Sequence, residues 1–370
     1  MKNLPTDLCK MFTGKKVLVT GHTGFKGSWL TVWLKLLGAD VVGISLEPQT
    51  APSHFYVANL TDGITDLRID IRNQIDLEMA VLNCQPDVVF HLAAQSLVRR
   101  SYENPIETWN TNVLGTLNLL ESLRKLNKAC LTVIITSDKC YKNDEWVWGY
   151  RETDAIGGTD PYSASKGAAE LAVNSHIKSF FPSNTSRIRI ASARAGNVIG
   201  GGDWATDRII PDCVRAWSQG KKVELRNLHS TRPWQHVLEP LSGYLRLAMV
   251  LSTGTNIHGE AFNFGPQSKK NHDVLDLVNE FGLHWDQVKW IHISDSNDGR
   301  QESGLLKLNC DKALQYLDWY AVMGFEDTVQ MTAEWYKSYY AESSQIREIT
   351  EQQIMRYCLM AKKVGLSWAQ

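Results

Sequence analysis

The sequence predicts an α/β protein: a doubly wound parallel sheet with a smaller, mostly helical second lobe. Three observations predict it. Short apolar, β-branched runs alternate with helical patterns through the first half of the chain. A glycine-rich turn joins the first strand to the first helix. The alternation breaks at Gly200-Gly201-Gly202, and 370 residues exceed what one core of roughly 250–300 residues holds.

In order, Lys16–Thr20 is a strand, and a helix from about Phe25 to Leu37 is stopped by Gly38. Strands follow at Asp40–Ser45 and Ile64–Ile69, the latter carrying Asp70 at its end. Asn73–Cys84 is helical, Asp87–Leu92 a buried strand and Pro105–Leu126 a long helix. Cys130–Thr136 is a strand, Pro161–Phe180 a helix and Arg187–Ala193 a strand. Unbroken apolar strands between helices describe a parallel sheet covered on both faces, a Rossmann-like arrangement. Beyond the triple glycine come a helix at Ile209–Gln219, a short strand at Val223–Leu225, a helix at Leu238–Leu251 and a strand at Ala261–Phe264. We expect a dinucleotide-type domain over 1–199, rejoined by about 235–265. The second lobe takes about 200–234 and 266–345, and 346–370 is a C-terminal helical extension.

Lysine plus arginine number 39 and aspartate plus glutamate 40, for a net charge of −1. Such balance gives no general nucleic-acid or anionic-membrane surface. No apolar run approaches the roughly 18–20 residues of a membrane span, and residues 1–16 do not resemble a secretory signal. Seven cysteines without a CxxC pair suggest reduced thiols in a cytoplasmic protein, with no metal site. The 13 tryptophans suit packing first; Trp146 and Trp148 could also wall a ligand pocket.

Gly21, Gly24 and Gly27, in Thr20-Gly21-His22-Thr23-Gly24-Phe25-Lys26-Gly27, are spaced i, i+3, i+6. Glycine permits the tight turn and lets backbone approach a pyrophosphate, which the helix N-terminus then attracts. Thr23, Phe25 and Lys26 belong to the same turn. Glu47, 26 positions after Gly21, is the candidate for the adenosine ribose diol, though a solvated loop role is open. With no arginine or lysine between Asp40 and Asp62, NAD is favoured over NADP. Tyr162 and Lys166 stand four residues apart at a helix start, on one face. An ammonium near a phenol favours phenolate, a base near neutral pH. Ser137, at the end of a parallel strand, can hold a substrate oxygen.

These residues resemble the extended short-chain dehydrogenases/reductases. The TGxxGxxG turn, Ser137, Tyr162, Lys166 and Asn112 match that pattern. The resemblance implies that Ala93, Ala94 and Gln95 pass the nicotinamide ribose, that Asp70 and Ile71 lie beside the adenine, and that the substrate is a nucleotide-linked sugar. Ser137-Asp138-Lys139 stands where sugar-nucleotide 4,6-dehydratases usually carry Thr-Asp-Glu. The segments at 21–30, 137–141, 145–152, 194–204 and 232–244 resemble the branch of those dehydratases that acts on CDP-glucose. The cycle so implied oxidises C4 through Tyr162, Lys166 and Ser137, removes water across C5–C6, and returns hydride to C6. Asp138 would be the acid at the C6 oxygen. Lys139 would be the C5 base or an electrostatic support of the enolate. Arginines suit a diphosphate; Arg99, Arg194, Arg208, Arg226 and Arg232 fall in or near those segments, and Asn197, Arg232 and Arg208 head the substrate candidates. His236 suits packing better than catalysis. Arg300-Gln301-Glu302-Ser303 departs from that branch's pattern. The helices at 105–126 and 161–180 resemble those that pair two subunits, which implies a homodimer or homotetramer. Competing readings are an epimerase, a dehydratase for another nucleotide, and a non-catalytic NAD-sensing protein. An epimerase needs no acid at C6, and a silent protein should lack Tyr162, Lys166 or Ser137.

Overall fold

The computed structural model describes residues 4–254, 257–267, 272–293 and 305–370. Its centre is a seven-stranded parallel sheet. We label Lys16–Thr20 β1, Asp40–Ser45 β2, Thr65–Arg68 β3, Val88–His91 β4, Cys130–Ile135 β5 and Ile188–Ala195 β6. The order across the sheet is Ala261–Phe264, β6, β5, β4, β1, β2, β3. The central strands are apolar at nearly every position because helices cover both faces; only β3, at the edge, is half exposed. β1 lies between β2 and β4, with Thr20 in register with Ile44 and His91. The chain leaves this point in opposite directions, which opens a crevice at the carboxyl ends of the strands.

The helix Phe25–Leu36 is buried continuously from Gly27 to Leu34. One side packs on the sheet. The other meets the C-terminal helix Ile346–Lys363, with Trp33 and Tyr357 edge to face at 5.9 Å. The extension is therefore part of the core: Ile346, Ile354, Tyr357, Ala361 and Trp368 are fully buried. The chain end also ties back to the helix Thr6–Phe12, absent from the sequence reading, through Thr6 N donating to Gln370 O at 2.9 Å.

The long helix expected at 105–126 is divided. Pro105–Trp109 and Gly115–Arg124 are α-helical, and Asn110–Leu114 between them is one π turn. Such turns turn a side chain out of helical phase and concentrate at functional sites. The second lobe carries the helices Ile209–Ser218, Val274–Gly282, Asp311–Leu317 and Phe325–Ala341. Short strand pairs accompany them, Thr231–Arg232 with His272–Asp273 and the expected strand Val223–Leu225 with Trp290–His292, while Val198–Ile199 pairs with Gln235–His236. Among the described residues no helix is long and apolar enough to cross a membrane.

Candidate active site

The glycine turn is tight enough to demand glycine. Gly21 has φ +77°, and a Cβ there would sit 2.7 Å from Ala93 N; a Cβ on Gly27 would meet Gly21 O at 2.0 Å. Gly24 caps the helix Phe25–Leu36 without a side-chain bond, so the first N–H groups face outward with the positive dipole end. That cradle fits a dinucleotide pyrophosphate. Thr20, at the end of β1, hydrogen-bonds His91 Nδ1 at 2.7 Å and accepts from Ala93 N at 3.2 Å, which joins the turn to the 93–95 loop. Thr23 is buried, bonding Ser45 Oγ and Leu46 O.

Glu47 stands just past β2, exposed, accepting from Tyr56 Oη at 2.6 Å and lying 3.3 Å from Arg68 Nε. Sequence reasoning missed Arg68, because the β2–β3 register, which sets Ser45 opposite Arg68, is what brings it there. Asp70 is paired with Arg72, whose guanidinium holds the carboxyl below its ordinary range. Ile71 packs where Gly115 leaves room; a Cβ there would meet Ile71 Cδ1 at 2.5 Å. Asn112, on the π turn, accepts from Gln95 N at 2.9 Å and donates to Gln95 O and to Ser165 Oγ at 2.8 Å. It thereby fixes the 93–95 loop, where Ala94 lies, against the helix that carries Tyr162 and Lys166.

Those two residues lie on the helix Pro161–Phe180, started by Pro161 and by Asp160, whose side chain accepts from Ser163 N. Just past the end of β5, Ser137 caps the 3₁₀ turn Asp138–Cys140, which carries Asp138 and Lys139. Ser137 Oγ donates to Asp138 Oδ1 at 2.9 Å and lies beside the Tyr162 phenol. Burial pushes Tyr162 up to about 12, while the Ser137 hydroxyl and the Arg208 guanidinium pull it back. Burial also lowers Lys166 to about 8 and Lys26, from the glycine turn, to about 8. Asp138 is buried, and desolvation raises its carboxyl against the pull of Lys139, Ser137 and Lys26. The glycine turn thus sends a cation, Lys26, toward the reaction centre as well as a cradle toward a phosphate. Tyr162 and Asp138 are two buried acids in one pocket, both raised by desolvation, with serine, lysine and arginine around them, suited to proton transfer at a bound alcohol.

The comparisons with known proteins point the same way. The family model described as GDP-mannose 4,6 dehydratase matches residues 18–332. The chain belongs to this family. It is 47% identical over 330 residues to CDP-glucose 4,6-dehydratase of Salmonella typhimurium, covering 88% of this chain and 91% of that one. It is 27% identical to CDP-paratose 2-epimerase of Salmonella typhi, covering 87% and 99%. Among solved structures, dTDP-glucose 4,6-dehydratase from Bacillus anthracis in complex with NAD superposes with a TM-score of 0.73 at 22% identity, over 89% and 98% of the two chains. That structure shares the fold.

Against this GDP-mannose 4,6 dehydratase family background, the candidate phosphate arginines divide. Arg194 is removed from the list: it is buried and paired with Glu170 at 2.8 Å. The sequence offered no sign of this, since the partner is 24 residues away on another element. Arg208 faces Asp203 at 2.7 Å and contributes positive charge at Tyr162. Arg99 reaches across to Asp207 at 2.9 Å. Arg232 is half buried, with Nη1 donating to Thr231 O at 2.8 Å, and Arg226 is exposed. Asn197 is half buried between β6 and the Val198–Ile199 strand. His236 is fully buried beneath Trp29, and burial drives its imidazole down to about 3. Trp146 stacks on Tyr150 at 5.1 Å, whereas Trp148 is exposed. The Arg300-Gln301-Glu302-Ser303 loop lies outside the described residues.

Proposed function

We propose that this chain is an NAD-dependent CDP-glucose 4,6-dehydratase, a lyase that yields CDP-4-keto-6-deoxyglucose. The observation that carries the reaction is Asp138: a buried carboxyl that desolvation raises above its ordinary range, one residue from Ser137 and beside the Tyr162 phenol. An epimerase has no use for an acid at that point. The 47% identity to the Salmonella typhimurium dehydratase supports the cytidine nucleotide.

When bound, NAD supplies a hydride acceptor at C4 and a positive charge near the phenol. Gly21, Gly24 and Gly27 hold its pyrophosphate, with Thr23, Phe25 and Lys26 completing the turn. Glu47 holds the adenosine ribose, Asp70 and Ile71 flank the adenine, and Ala93, Ala94, Gln95 and Asn112 flank the nicotinamide ribose. Tyr162 accepts the C4 hydroxyl proton, and Ser137 bonds the same oxygen. Arg208 and Lys166 favour the phenolate. The C4 ketone makes H5 acidic. Lys139 serves its removal, as a neutral base or as the charge that supports the enolate, and Asp138 protonates the departing C6 hydroxyl. Arg99, Arg208, Arg232 and Asn197 bind the nucleotide diphosphate.

The exposed apolar residues Ile106, Leu114, Leu171 and Phe180, on the helices Pro105–Trp109, Gly115–Arg124 and Pro161–Phe180 with their π turn, support a homodimer built on these helices. Seven free cysteines support a cytoplasmic site of action.

The test offers the purified protein NAD and, separately, CDP-, dTDP-, UDP- and GDP-hexoses, scoring products by mass. Loss of one water from CDP-glucose alone is the expected result. Loss from another nucleotide overturns the cytidine assignment, and an isomer of unchanged mass overturns the dehydration.

A further inference from the structure

The two halves of the reaction centre come from different elements. Tyr162 and Lys166 lie on a helix, and Ser137, Asp138 and Lys139 lie on a turn at a strand end. Proton transfers need their relative position held to a fraction of an ångström. Directly behind them is a buried ion pair that the proposed chemistry does not use.

Glu170 is one helical turn beyond Lys166 and two beyond Tyr162, on the same buried face. Its Oε1 accepts from Thr136 Oγ1, and its Oε2 accepts from Ser192 Oγ at 3.1 Å and Arg194 Nη2 at 2.8 Å. Thr136 immediately precedes Ser137. Arg194 Nη1 in turn donates to Tyr141 Oη at 2.8 Å and to Glu152 O at 3.1 Å, and its guanidinium lies 5.0 Å from the Tyr141 ring centroid. Tyr141 immediately follows Cys140, where the turn ends, and its own hydroxyl donates to Asn263 Oδ1 at 2.7 Å. The pair therefore holds both ends of the Ser137–Cys140 turn, one through Thr136 and one through Tyr141, and anchors them to the helix of Tyr162.

We infer that Glu170 and Arg194 are positioning residues for catalysis, acting through Thr136 and Tyr141 to keep Asp138 and Lys139 in register with Tyr162. The inference rests on the dehydratase reading. A buried ion pair is weak evidence for stability, because desolvation offsets most of the attraction. Alignment of two elements is what this one provides.

Glu170→Gln strands a buried guanidinium and can fail to fold, so Tyr141→Phe is the informative variant. It leaves the ion pair and the Arg194–Glu152 bond intact and removes the hydroxyl that Arg194 grips, along with that hydroxyl's bond to Asn263. Wild type and Tyr141→Phe are compared for kcat and KM on CDP-glucose and for amide hydrogen exchange across residues 137–141. The expected result is a kcat lower by on the order of tenfold, a KM within about twofold, and faster exchange in that segment. Thr136→Val, which cuts the grip at the other end, should give the same signature. Wild-type kcat in both variants, or a rise in KM with kcat unchanged, overturns the inference. Absence of turnover by the wild type on any nucleotide hexose would instead count against the dehydratase reading, and the exchange rates would then decide the tether alone.

Discussion

Glu239 offers a direct test of how the C-terminal helix is seated. Its carboxylate is fully buried and accepts from Val322 N at 2.8 Å, Met323 N at 2.6 Å and Tyr357 Oη at 2.7 Å. Tyr357, from the C-terminal helix, also bonds Ser242 Oγ at 2.9 Å. Burial lifts the carboxyl from its ordinary 4.5 to about 7, more than those bonds pull it down. Between those two values the native state keeps a proton that the unfolded chain has released. Stability from this group is therefore complete below pH 4.5 and declines as pH rises to about 7. At about 1.4 kcal/mol per pH unit, the loss is about 3 kcal/mol by pH 8. Glu239→Gln has no charge to bury. Its amide oxygen can accept both backbone N–H groups, and its Nε2 can donate to Tyr357 Oη, whose proton turns to Ser242. Urea unfolding of both proteins at roughly pH 5 and pH 8 measures the difference. The variant should gain about 3 kcal/mol on the wild type between the two conditions. An equal difference at both pH values would refute the reasoning, since it would mean that Glu239 does not change protonation in the native state.

Asp138→Asn removes the acid proposed to act at C6 while keeping its shape; kcat on CDP-glucose should fall by about 100-fold or more with KM little changed, measured by product mass. Gly27→Ala places a methyl 2.0 Å from Gly21 O, so the turn must shift, and NAD affinity by fluorescence titration should drop by on the order of tenfold or more. Deleting residues 346–370 uncovers Trp33, His54 and Glu239, and circular dichroism should report a protein that no longer unfolds cooperatively. Leu171→Glu puts a charge on an exposed apolar helix position; if that face pairs two copies, sedimentation should shift toward the 41.7 kDa monomer.

Much of the scaffold was legible because it is local. β-branched runs, Gly38 after a helix, Pro161 at a helix start and three glycines at fixed spacing act within a few residues of themselves. The pairing of Tyr162 with Lys166 is likewise one helical turn. Other features were hidden for a geometric reason. The π turn at Asn110–Leu114 aligns Asn112 with Gln95 and Ser165, and nothing in the local composition marks it. The two-residue strands Thr231–Arg232 and His272–Asp273 were hidden as well, because so short a strand carries no readable period.

The sequence by itself determined the parallel sheet, the crevice at its strand ends, and the residue types offered there: a phenol, a serine, a carboxyl and lysines. Only the tertiary structure decided their burial and neighbours. Arg194 looked like a phosphate ligand until folding paired it with Glu170, and Arg68 reaches Glu47 only through strand register. The tail at 346–370 looked like an appendage until the helix Phe25–Leu36 proved to be buried on both sides. The physical reason is the same in each case. Burial and long-range pairing change what a side chain can do by removing water and adding a partner, and both come from elements far away in the chain.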